Sequence, residues 1–534
     1  MTAGRLTRRS LLVAAGASAV GGLVRPPRAL AMLAGAPPKA LAERSLGTLT
    51  AGVHTVQLAA NADLLGVQWQ APHDAQVQVR FVGASGRFSA WVSAGGNNHV
   101  PDAGHERHRS VGEPVWTGGT RVVQLRVSRA VRDVWLHLID VSAGAGARRV
   151  ALAQARSPLA ALASAPFALA QPSLQAGAGQ PPIIARRAWA HGVSHPRVAP
   201  EYGAVRLAFV HHTENPNGYL AREVPPMLRA IFLFHREIRG WNDIGYNFVV
   251  DAFGRTFEAR AGGIDEPVVG AQAGGYNLVS TGIAVLGSFS GQPISVPARR
   301  ALQRLLAWKL SLHGVPAQGR VTVHVNPAGA VYSRYPANAP VSLPRIAGHR
   351  DADTTDCPGD ALYRQLSAIR PRVHSLAPRP VLATLALTPV SAEPTPSAPT
   401  PPTTPAPGVP APTPAPAASG GLTGTLAFLD GTPLAGATVQ IQARSVLRRG
   451  ETVVEQTLAQ AQCDATGRWS LPASVVPSAT SISLRALYLG AAAGAGGPAQ
   501  AGAGVSAPLA LASSALSPAR APAPTPAAAL ARVR

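Results

Sequence analysis

The stretch GHRDADTTDCPGD, Gly348 to Asp360, places a histidine (His349) and a cysteine (Cys357) eight positions apart, with polar residues between them and a Pro-Gly turn after. Upstream, FVHHTENPNG (209–218) puts His211 at the end of an apolar run. Two imidazoles and one thiolate make a ligand set for Zn²⁺. Three protein ligands with a fourth position open to water is the pattern of a catalytic rather than a structural zinc. Neighbouring residues on a strand face opposite sides, so only one of His211 and His212 can ligate.

The segments around these residues predict a mixed α/β domain over residues 181–373. RLAFVHH (206–212) and TGIAVLGSF (281–289) are apolar runs of buried-strand length. GYNFVVD (245–251) and RTFEAR (255–260) are two strands around the turn at Asp251–Gly254. The segment after Pro225-Pro226 predicts a helix with Leu228, Ile231, Phe232, His235 and Ile238 on one face. Pro297 to Leu312 predicts a second helix, with proline in its first turn, and GDALYRQLSAIR (359–370) a third. A mixed β-sheet with helices packed on it is the economical arrangement.

Outward from this domain the composition changes. Residues 45–142 carry short alternating or apolar runs such as VQVRF, RVVQLRV and VWLHLID, which predict a β-sandwich-like domain. His99, His105 and His108 fall in and beside its polar loop PDAGHERHRS, where a solvated loop is the simpler reading than a metal site. Residues 143–180 are rich in Ala, Gly, Ser and Pro, and residues 374–419 in Pro, Thr and Ala; both read as linkers. Strand-like segments return over 420–510, predicting a second β-sandwich-like domain, and 511–534 is a low-complexity tail. The central boundaries, set by linkers, predict that 181–373 folds alone.

The N-terminus predicts export. Arg8-Arg9 precede a mildly apolar run from Leu11 to Val24, and Ala29-Leu30-Ala31 supplies a cleavage site. Residues 1–31 therefore read as a twin-arginine-type signal peptide. No segment is long and apolar enough to span a bilayer. The product is expected to be secreted or associated with a cell wall. Only two cysteines exist, Cys357 and Cys463, too few for a disulfide scaffold. The net charge of +22 has two readings, compositional bias towards arginine and attraction to anionic cell-envelope polymers. Nucleic acid is not expected as a partner, because no basic run is interleaved with aromatics.

The central domain resembles the peptidoglycan recognition protein/type-2 N-acetylmuramoyl-L-alanine amidase family. The residues that carry the resemblance are RRAW (186–189), FVHHT (209–213), FHREIRGWNDIGYNFVVD (234–251), TFEAR (256–260), GAQAGGYN (270–277), TGIAVLGSF (281–289) and GHRDADTTDCPGDALY (348–363). The resemblance implies cleavage of the amide between N-acetylmuramic acid and the first L-alanine of the peptidoglycan stem peptide. It implies Zn²⁺ held by His211, His349 and Cys357, and so decides between the two adjacent histidines. It also implies a catalytic role for Tyr246, and places Thr355 beside the metal as a hydroxyl donor to an oxyanion. His235 reads as a packed histidine, and Trp241 and Asn242 as cleft wall. The chain departs from the animal recognition proteins at Arg260-Ala261-Gly262-Gly263, where a Gly-Trp pair is frequent, and at Gln272, where a histidine is. The alternative to an enzyme is a non-catalytic peptidoglycan-binding protein that uses the same cleft; binders of this kind lose a ligand, most visibly the cysteine.

Overall fold

The computed structural model describes residues 41–70, 75–83, 85–94, 110–141, 179–190, 195–388, 421–447, 452–475, 483–490, 501, 503–506 and 509–510. The expected signal peptide and the histidines at 99, 105 and 108 lie outside these residues.

The first domain is antiparallel. Its longest strand, Gly52–Gln70, lies inside one sheet with a neighbour on each side. Residues 52–65 pair on one side with the strand Val115–Val127, and residues 64–70 on the other with Val131–Ile139. Register shifts between Gln57 and Leu64 mark the corner. Leu65, Val67, Val79, Val123, Leu125 and Leu136 lie in its apolar core.

In the central domain, six strands form one sheet: β1 (Ile183–Ile184), β2 (Leu207–His212), β3 (Phe248–Val250), β4 (Thr256–Glu258), β5 (Ser280–Val285) and β6 (Ile346–Gly348). The spatial order is β6-β2-β5-β3-β4-β1. The four strands from β6 to β3 run parallel, and β3 pairs with β4 antiparallel. All six residues of β2 are buried, as expected of an inner parallel strand covered on both faces.

Alternation sorts the side chains of β2. Ala208 and Val210 face a cluster with α2 (Val296–Leu312) and α3 (Asp360–Leu376). Leu207 and Phe209 face the other way, towards Tyr276 and the hairpin of Arg320–His324 with Pro340–Pro344. His211 therefore shares the Phe209 face, and His212 the Val210 face. Helix α1 (Val224–Leu233) packs on the sheet beside β3 and β5 through Leu228, Ile231 and Phe232. It does not run on as an α-helix through Ile238: Phe234–Ile238 is a π-helical turn, with the Arg239 amide donating to Phe234 O at 3.0 Å.

The third domain is a sandwich. One sheet holds Gly421–Phe428 and Arg468–Pro472, the other Thr438–Leu447, Thr452–Gln462 and Ser483–Tyr488. Leu422, Leu426 and Trp469 meet Val439, Ile441 and Leu484 between them. Val381–Ala383 and Ala386–Thr388 pair with Gly421–Phe428, so the first part of the segment read as linker belongs to this domain.

The three domains share cores. Leu64, Val111, Trp116 and Ile139 of the first domain lie in one apolar cluster with Met227, Leu228, Phe234 and Tyr246. Leu487 and Val505 of the third lie in another with Leu302, Leu306 and Trp308. Linker-like boundaries suggest independent folding of 181–373, but the contacts do not respect them. Cut out alone, the fragment exposes both faces.

Candidate metal centre

Strand β2 delivers His211 to the C-terminal edge of the sheet. Strand β6 ends at Gly348, and His349 follows at once, next to β2. The chain then turns back: the Arg350 amide donates to Cys357 O at 2.9 Å, which lets residues eight apart in sequence converge. Gly359 secures this loop at φ +86°; a Cβ there would lie 2.4 Å from the carbonyl carbon of Phe289, so only glycine fits.

The result is a buried cluster of His211, His349 and Cys357, whose candidate ligand atoms lie within 4.8 Å of one another. His211 Nδ1 is 3.6 Å from Cys357 Sγ. Zn–N and Zn–S bonds at a tetrahedral angle put such a pair about 3.6 Å apart. His349 Nε2 is engaged by Asp353 Oδ2 at 2.9 Å, which assigns Nδ1 to coordination and fixes the tautomer. Asp353 Oδ2 also accepts the Gly274 amide at 2.7 Å. Burial, with His349 and His212 nearby, holds His211 well below the usual histidine range, so it is a neutral imidazole. Burial pushes the Cys357 thiol well up. A thiolate in that place needs a cation beside it, and a bound dication supplies one. The donor set, spacing and carboxylate-fixed tautomer all fit zinc.

His212 faces away, as alternation requires. Its Nε2 is 3.2 Å from Glu214 Oε1, and its Nδ1 accepts the Phe289 amide at 3.4 Å. Tyr246 comes to the cluster from just before β3, its ring centroid 5.4 Å from that of His211. Burial first, then the charges of Glu113 and Cys357, raise its phenol well above 10. The phenol therefore keeps its proton at Oη. Thr355 Oγ1 accepts the Cys357 amide at 3.0 Å, so this hydroxyl also shapes the ligand loop. His235 packs between Trp241 and Tyr246 and accepts the Gly245 amide at Nδ1, 3.2 Å away. Trp241 is buried against His235, whereas Asn242 lines a cavity of about 370 Å³ together with Arg260, Gly270, Asn277 and Asn326. Gln272 is fully buried and donates to Ser280 Oγ at 3.0 Å.

Three site residues were missed in the sequence. Asp353 stands four positions after His349 in the same motif, and that spacing alone could have suggested a carboxylate–histidine pair. Glu214 adopts a left-handed backbone (φ 54°), which sequence does not show. Glu113 comes from another domain, and no local signal marks it.

A mixed sheet that presents a buried His-His-Cys cluster beside a tyrosine defines a metal-site domain of the α/β class. Residues 201–360 match the family described as N-acetylmuramoyl-L-alanine amidase, and the central domain is a peptidoglycan-recognition-protein/type-2 amidase domain. Residues 26–161 match a second family, described as Rv3811 N-terminal galactose-binding domain-like. A human N-acetylmuramoyl-L-alanine amidase is 29% identical over 213 residues, covering 38% of this chain and 31% of that protein. Peptidoglycan-recognition protein LB of Drosophila melanogaster is 26% identical over 200 residues, covering 37% of this chain and 73% of the relative. The solved structure of wild-type Drosophila PGRP-LB shares 25% identity, at a TM-score of 0.27 and with 35% of this chain covered. The chain thus spans about a third of the length of the human relative.

Proposed function

We propose that the protein is an exported, zinc-dependent N-acetylmuramoyl-L-alanine amidase. Its substrate is the amide between N-acetylmuramic acid and the L-alanine of the peptidoglycan stem peptide. The observation that carries the reading is the complete cluster of His211, His349 and Cys357 with Tyr246 beside it. A protein that only bound peptidoglycan would have no use for a thiolate ligand or for Asp353 fixing His349.

Zinc, when bound, supplies Lewis acidity that polarises an amide carbonyl and lowers the pKa of water. The side chains do the rest. His211 and His349 would hold the ion as neutral donors, and Cys357 would offset one of its charges. Asp353 keeps the His349 ring in one tautomer and one orientation. Tyr246 holds a proton at Oη and donates it towards the oxygen on which charge develops. Thr355 holds its loop and turns its own hydroxyl proton to the same oxygen. A carbon–oxygen bond forms as water gives up a proton, the carbon–nitrogen bond breaks, and the alanine amine leaves with that proton. The lactyl carboxylate remains on the sugar.

Export through the twin-arginine-type segment 1–31 puts the enzyme where its substrate is. The charge of +22 favours contact with anionic cell-envelope polymers. The test is mass spectrometry of purified muropeptides incubated with the full chain, with and without a zinc chelator. Free stem peptide and unsubstituted sugar should form only without chelator. Binding without any release of stem peptide would make the protein a binder.

A further inference from the structure

The first domain does more than flank the metal centre. Its segment Val111–Thr117 is buried throughout and lies on the central domain. The Trp116 amide donates to Asn215 Oδ1 at 2.8 Å, four residues beyond His211. Arg239, at the end of the π-helical turn, is fully buried. Its Nη2 donates to Val111 O at 3.1 Å, Gly112 O at 3.2 Å and Glu113 Oε1 at 2.9 Å. One guanidinium thus gathers three acceptors from the other domain.

From Arg239 a short chain of contacts leads to Tyr246. The Arg239 amide closes the π-helical turn on Phe234. The next residue in that turn, His235, accepts the Gly245 amide at Nδ1, and its ring centroid is 5.8 Å from that of Tyr246. The Trp241 amide donates to His235 O at 2.9 Å, and the two rings lie 4.5 Å apart. A π-helical turn is an uncommon backbone that often occurs at functional sites. Here an ion pair with a neighbouring domain anchors Arg239, the residue that caps it.

We propose that Glu113 is a positioning residue for the reaction: through Arg239 and His235 it fixes Tyr246, so that the first domain forms part of the active centre. The inference rests on the role given to Tyr246 above. A latch that swings away to admit substrate is the competing use of such a contact, and the packing argues against it. Leu64, Val111, Trp116 and Ile139 share one apolar cluster with Met227, Leu228, Ile231 and Phe234. A Cβ on Gly66 would lie 2.1 Å from the Phe234 ring. Domains move readily when their interface is small and polar; a large apolar one holds them fixed.

The test uses the full chain in four forms: parent, Glu113→Ala, Tyr246→Phe and the double variant. Glu113→Ala should lower kcat on purified muropeptide on the order of 10–100-fold, the cost of a small misplacement at a reaction centre, with KM and zinc content held. In the Tyr246→Phe background the same change should cost less than about threefold, because groups that act as one unit are not additive. Glu113→Gln keeps an acceptor oxygen for Arg239 and should recover part of the loss; it also replaces Glu113→Ala if that variant does not fold. Hydrogen exchange at residues 241–247 should speed up in Glu113→Gln, a readout that needs no activity. An equal loss in both backgrounds overturns the proposal, as does unchanged exchange. A rise in turnover overturns it in favour of a latch. If the parent shows no amidase activity, or Tyr246→Phe has no effect, it is the amidase reading that fails, and exchange alone judges the positioning.

Discussion

Replacing Arg485 by methionine tests how firmly the third domain is tied to the central one. Arg485 is 1% exposed and sits between domains. Its Nη1 contacts Asp265 Oδ2 and lies 2.9 Å from Glu266 Oε1, while its Nε and Nη2 hold Gln442 Oε1. Arg444 reaches the same two carboxylates, and Lys309 Nζ donates to the carbonyls of Ile264 and Glu266 at 2.8 Å. Methionine preserves much of the volume but leaves two buried carboxylates short of a partner. Breaking a buried pair from one side costs about 3–5 kcal/mol. Against burial, Arg485 and then Arg444 hold the Asp265 carboxyl down at about 2, from 3.8. That drop corresponds to about 2 kcal/mol of favourable interaction with the charged form. Because the folded value lies below the unfolded one, this stability is full above about pH 4 and fades as pH falls towards 2. Thermal unfolding followed by circular dichroism should show Tm lowered by roughly 6–15 °C at neutral pH. The acid transition should begin at a higher pH than in the parent. Adding Asp265→Asn should recover part of the loss. A single variant that melts within about 2 °C of the parent, with an unchanged acid limb, would refute the claim that this cluster joins the domains.

The other expectations concern the metal centre and the cores. Cys357→Ser should lose zinc and all release of stem peptide while still binding muropeptide, since serine's hydroxyl stays neutral; full zinc occupancy with parental turnover would remove Cys357 from the ligand set. Tyr246→Phe should keep zinc and lose about 10²–10⁴-fold in kcat, the usual worth of a general acid–base group; unchanged turnover would make Tyr246 only a packed aromatic. Asp353→Asn should weaken zinc affinity by about 10–100-fold, as loss of a ligand's partner does, measurable by competition with a chromogenic chelator. The fragment 181–373 should be less soluble and less stable than the full chain, because clusters shared with both neighbours are cut open; a monomeric fragment with parental Tm would contradict the shared-core description.

How much of this was legible in the chain depends on the range of the interaction. GHRDADTTDCPGD and FVHHT are local motifs, and each carries its chemistry in residue type and spacing. Strand alternation sends His211 and His212 to opposite faces whatever surrounds them. The covered inner strand LAFVHH and the period of Pro297–Leu312 follow from the burial pattern that those residues demand. These features needed no tertiary information: the sequence by itself carried the mixed α/β reading of the central domain, and the family resemblance chose His211 over His212 to stand with His349 and Cys357. The tertiary structure decided what depends on distant segments meeting. Glu113 stands 126 residues from Arg239, and Asp265 stands 220 from Arg485; neither pair leaves a trace in spacing or period. The π-helical turn at Phe234–Ile238 carries the same apolar residues that an α-helix would, so its pattern does not distinguish the two. Pro-rich and Ala-rich boundaries suggested separate domains, because linkers are written in composition. Whether the domains then share a core is a matter of surface complementarity, which a linear sequence does not express.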